Sequence, residues 1–114
     1  MTMTALSPMT SSEANARSRG AVEQMRTAGA HTAFTEALRE YMGALAILID
    51  EPQSIPKGEI AEALTLGDAA VELVEGRICG DRHAARFAGS IYEIRRRLEL
   101  LERWQHHYMM ERHV

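Results

Sequence analysis

The chain has 114 residues, 46% of them hydrophobic and 25% charged, with a formal net charge of −3. That length suits a single domain that buries a core without disulfides, and the acidic balance weighs against a general binder of polyanions. One cysteine, Cys79, excludes both an intramolecular bridge and a multi-cysteine zinc site, and the longest apolar run, residues 44–49, falls far short of the roughly 18 that a membrane span needs.

Residues 1–12 are mostly Ser, Thr, Met and Ala, too poor in apolar surface to offset the entropy of ordering them, and they lack the basic start and apolar stretch of a secretory signal. A cytoplasmic protein is expected. From residue 13 to 28 a helical pattern places Ala14, Ala21, Val22 and Met25 near one face. Gly20 and Gly29, however, each cost about 1 kcal/mol relative to alanine in a helix interior. Residues 1–30 are therefore expected to form a flexible tail with a weak helix, and residues 31–114 a helical bundle domain.

Phe34, Leu38, Tyr41, Leu45 and Leu48 repeat at three- and four-residue steps, which predicts a core helix over about 32–50. Pro52 and Pro56 break the chain, and Pro56 suits the first turn of the next helix. Ile60, Leu64, Val71, Val74 and Ile78 then form the seam of a helix over about 56–77, with Gly67 where another seam residue would fall, a point at which the helix can split. The last third carries the cleanest pattern: Ala84, Phe87, Ile91, Ile94, Leu98, Leu101 and Tyr108 mark a helix over about 81–112, with Asp81 as N-cap. With two phenylalanines and no alternating Val/Ile/Thr run, the fold class is all-α. The expected architecture is a small three-helix bundle with a long C-terminal helix and a loose N-terminal segment.

One stretch carries a family pattern. In residues 59–74 an Ile60–Ala61 pair, Leu64, Thr65, Leu66, Gly67, Val71 and Val74 stand where the helix-turn-helix of bacterial transcriptional regulators has its two helices and its turn. The segment resembles that motif over 16 residues, and the resemblance implies a small DNA-binding regulator. The exposed positions of the implied reading helix are Asp68, Ala69, Glu72 and Glu75, three of them carboxylates where phosphates require donors. Any DNA contact would fall to Arg77, Arg82, Arg86 and Arg96.

Further constellations are less specific. Glu102, His106, Met110 and His113 share a helical face, but they lie at a terminus without fixed supporting groups, and histidines there also suit the negative end of a helix dipole. No metal and no cofactor is assigned. Arg95, Arg96 and Arg97 form a basic run whose neighbours Glu93 and Glu99 can pair along the helix, leaving Arg96 alone. Residues 51–79 carry six acids to two bases and residues 80–114 seven arginines to five acids, so the two segments can attract. No nucleophile with a base and no glycine-rich phosphate loop stands out, so no enzyme activity is expected.

The preferred reading is a non-catalytic helical protein–protein interaction or adaptor module of bacterial type that self-associates as a homodimer. At about 1.5 Å per residue the last helix would overhang its neighbours, leaving Ile94, Leu98, Leu101, Trp104 and Tyr108 as the interface. A second copy is the expected partner, an unidentified protein the next, nucleic acid ranks below both, and no membrane is expected.

Overall fold

The computed structural model describes residues 10–50, 55–78 and 84–111, with the side chains of 78, 84–88 and 108–111 left aside. The chain is helical in four pieces: α1 (Ser11–Thr27), α2 (His31–Asp50), α3 (Lys57–Ile78) and α4 (Ala84–Glu111). No strand occurs among the described residues. The class is all-α, as the seams predict, but the described residues form four helices rather than three.

The added helix is α1, and its start is fixed by local chemistry. Glu13 donates its backbone N–H to the Thr10 hydroxyl at 3.1 Å, while the Glu13 carboxylate accepts from the Thr10 backbone N–H at 3.0 Å. This reciprocal cap satisfies two donors that a helix N-terminus leaves free. Gly20 is exposed, and a Cβ there would meet nothing within 4 Å, while Gly29 falls beyond the last turn. The glycine penalty is thus confined to one solvent-facing position. Ala14, Ala21, Val22 and Met25 are all buried, and at about 1.5–3 kcal/mol for a fully buried large aliphatic side chain, Val22 and Met25 outweigh it.

The helices form two antiparallel hairpins, α1–α2 and α3–α4, set side by side. α1 packs against α2 and α3, α3 against α4, and α2 more lightly against α4. Contacts between residues 15 and 59 and between 19 and 62 show α1 and α3 running parallel. The core between the hairpins takes Phe34, Leu38, Tyr41, Leu45 and Leu48 from α2, with Ile60, Val71 and Val74 from α3. Ile94, Leu98 and Leu101 complete it from α4.

α3 runs unbroken through Gly67. Gly67 is buried, and a Cβ built on it would fall 2.9 Å from Leu98 Cγ and closer still to both Leu98 methyls. The missing side chain is what lets α4 lie against α3 at this level, so the glycine in the seam is a contact point between helices rather than a break. Arg95 reaches Glu75 at 3.0 Å on the same pair of helices, an instance of the attraction expected between the acidic and basic segments.

No helix among the described residues is long and apolar enough to cross a membrane.

Candidate functional site

The two sides of the hairpin pair are held differently. On the α1–α3 side the fastening is polar and specific. Asn15, fully buried, donates from Nδ2 to the Glu59 carbonyl oxygen at 2.8 Å and to the Glu59 carboxylate at 2.7 Å. Arg19 donates to the Glu62 carboxylate. Arg77, in the last turn of α3, donates from Nη2 to the Ala28 carbonyl oxygen at the end of α1 and stacks over the Phe34 ring at 4.6 Å from its centroid. Arg77 therefore ties three helices together, and its guanidinium is engaged inside the chain.

On the α2–α4 side the helices part into an open cleft. Ile49 and Leu100 supply its apolar lining, and Glu93, Arg96, Arg97, Glu99 and Arg103 its charges. Arg97 spans the cleft, donating to the Met42 carbonyl oxygen at 3.5 Å, and also pairs with Glu93 at 3.2 Å. Arg96 lies over the Tyr92 ring at 5.8 Å, and Tyr92 is 62% exposed. Arg95 leaves the cleft for Glu75. Glu99 and Arg103 make no ion pair among the described residues. The face thus offers exposed tyrosine and arginine beside a half-covered leucine, with tyrosine and arginine the types enriched where proteins bind proteins.

Behind this cleft sits a buried hydroxyl. Tyr41 is 1% exposed and its OH has no hydrogen-bond partner among the described residues. Burial pushes its phenol well above the usual tyrosine range, the charge of Asp68 adds to the shift, and Arg97 acts against it. The ring therefore stays neutral and serves as core.

The residues singled out from the sequence are distributed as follows. Ile94, Leu98 and Leu101 lie in the chain's own core, and Trp104 packs half-buried against it. They are not exposed by an overhang, because α3 is continuous and covers them. At about 1.5 Å per residue its 22 residues span about 33 Å against about 42 Å for the 28 of α4. The side chain of Tyr108 lies outside the described residues. Arg82, and the side chain of Arg86, lie outside them too; Arg77 is engaged as above, and Arg96 is exposed on the cleft. The segment 59–74 is part of one helix, with no turn at Leu66–Gly67, and it exposes Asp68 and Glu72.

Among the described residues no three His, Cys, Asp or Glu side chains are placed to hold a metal ion. Glu102 and His106 are exposed, and Met110 and His113 fall outside the described side chains. The cleft residues missed from sequence are Ile49, Leu100 and Arg103. Leu100 and Arg103 stand four and seven residues beyond Arg96, a helical spacing that carries the signal.

No family model, curated protein or solved structure matches the chain at a significant level.

Proposed function

We propose that this protein is a non-catalytic helical interaction module whose contact surface is the α2–α4 face, with Tyr92, Arg96, Leu100 and Arg103 as its centre and Ile49 beside them. The observation that carries this reading is the asymmetry of the hairpin pair. The α1–α3 side is closed by buried and half-buried polar contacts, whereas the α2–α4 side stays open over an apolar lining with Arg96, Glu99 and Arg103 at its edge. Open apolar surface ringed by charge fits the core-and-rim pattern of protein contacts. Among its lining residues there is no nucleophile, no metal-binding set and no enclosed chamber for a reaction, which favours binding over catalysis.

The test is site-directed photo-crosslinking in the cells that make the protein. A photoreactive residue at position 100 is compared with one at Thr65, which is exposed on α3. An adduct from position 100 that is absent from position 65, and is lost on Arg96→Glu, is the expected result. Equal adducts from both positions, or none from position 100, would count against the assignment.

A further inference from the structure

We infer that the occupant of this face is a second copy of the same chain, seated with its α4 antiparallel to the first α4 about a two-fold axis at residue 98. The inference rests on the contact surface proposed above and adds the identity of what covers it.

Along the open side of α4, Gly89, Glu93, Arg96, Leu100, Arg103 and His107 follow one another at alternating steps of four and three, which places them in one stripe. The stripe is self-complementary when reversed about residue 98. Glu93 of one copy meets Arg103 of the other, and Arg96 lays its aliphatic stem over Leu100. Gly89, where a side chain would meet nothing within 4 Å, leaves room for His107. Each of these pairs occurs twice, as a two-fold contact requires. Arg103, which has no ion pair among the described residues of the single chain, acquires one.

The charges also select this register. Moving the axis to between residues 99 and 100 sets Arg96 against Arg103, a like-charge contact that costs affinity. An acidic peptide is disfavoured by Glu93 and Glu99, and a basic one by the three arginines, so the alternating edge is best answered by its own inverse. Ile49, on α2, lies alongside and widens the apolar strip that Leu100 begins.

The experiment is sedimentation velocity on the full chain from about 10 to 300 µM, with Arg103→Glu and Glu93→Arg measured singly and as an equimolar mixture. Wild type is expected to shift with concentration from 12.7 kDa to twice that mass. Either single reversal sets like charges face to face at both symmetric positions and is expected to weaken association at least about tenfold, equivalent to about 1.4 kcal/mol. In the mixed pair, one side of the axis keeps the native contact between Glu93 and Arg103. On the other side the glutamate introduced at position 103 faces the arginine introduced at position 93, so the doubled mass is expected to return. That recovery also shows that both variants are folded. A wild type that stays monomeric over the whole range refutes the inference, and so does a mixture no more associated than its components. A monomeric wild type that still gives a specific cross-link from position 100, at a mass other than twice the chain's, removes the second copy and leaves the interaction module standing.

Discussion

Gly67→Ala is the most direct probe of how the hairpins are held. The substitution has two opposed effects that the structure separates. In the middle of a helix an alanine is favoured over glycine by about 0.8–1 kcal/mol. Against that, the new Cβ falls 2.9 Å from Leu98 Cγ and nearer to both methyls, well inside van der Waals contact. Leu98 is 6% exposed and has no solvent side to swing into, so α4 must shift or the leucine must leave its rotamer. Overpacking of this kind costs about 1–3 kcal/mol. The net expectation is a loss of about 1 kcal/mol, or roughly 5 °C in Tm for a domain of this size. Gly43→Ala is the matched control, because it places the same methyl in mid-helix with nothing within 4 Å, and it is expected to stabilise by up to about 1 kcal/mol. Urea unfolding followed by helical circular dichroism measures both, with unchanged m-values as the condition for comparing them. A double-mutant cycle sharpens the result. Leu98→Ala alone should cost about 2–5 kcal/mol, but in its background Gly67→Ala should turn favourable, a coupling of about 2 kcal/mol. If Gly67→Ala stabilises wild type as much as Gly43→Ala does, α4 is not seated on α3 at this level.

Other expectations follow from single contacts. Tyr41→Phe removes a buried hydroxyl without a partner among the described residues, so stability at neutral pH should be unchanged or higher by up to about 1 kcal/mol in thermal melts. The raised phenol makes a pH prediction as well: the stability linked to a neutral Tyr41 is complete below its ordinary value of 10 and is lost as pH climbs toward the folded value. Wild type should therefore unfold in alkali before Tyr41→Phe does, seen by tyrosinate absorbance beside circular dichroism. Glu13 is held below its ordinary 4.5, first by the Thr10 backbone N–H and then by the Thr10 hydroxyl, so the cap is present above 4.5 and is lost as pH falls through the lowered value. Thr10→Val keeps the backbone N–H and removes the hydroxyl, so it should return the Glu13 carboxyl only part of the way to its ordinary titration in a carbon-detected NMR series. Arg77→Met keeps much of the side chain's length and removes its charge and donors. It should cost about 2 kcal/mol in urea unfolding through the contacts to Phe34 and Ala28, and a neutral outcome would contradict the role assigned to Arg77.

The seams of α2, α3 and α4 are legible because each repeats its apolar residues at helical spacing, and nearly every described member proves buried or half-buried. The start of α1 is also written in the sequence, as Thr10 followed three residues later by Glu13, but the glycines at 20 and 29 weigh more in a reading without tertiary context. Gly67 shows the limit more clearly. Sequence alone does not distinguish a glycine that breaks a helix from one that admits a neighbouring helix, because the difference lies in where Leu98 arrives. A break of α3 at that glycine would lengthen the overhang of α4 enough to include Leu98 and Leu101. With α3 continuous, Leu98 and Leu101 are covered from within, and the exposed face moves about the helix to Arg96, Leu100 and Arg103. By position alone Arg77 reads as a free cation. Its engagement with Ala28 and Phe34 depends on contacts 49 and 43 residues away in sequence, which no local pattern encodes.

Asn15 has a consequence for motion. Its amide nitrogen donates to one carbonyl and one carboxylate of Glu59, so sliding α1 along α3 by even one residue would strand that fully buried donor. Across the opposite edge the only interhelical hydrogen bond among the described residues is the long one from Arg97 to Met42. Small excursions of one hairpin against the other are therefore rotations about a spine at α1 and α3, with the α2 and α4 edges parting like the fore-edge of a book. Amide exchange should report that gradient directly, with faster opening around Met42 and Arg97 than around Asn15 and Glu59.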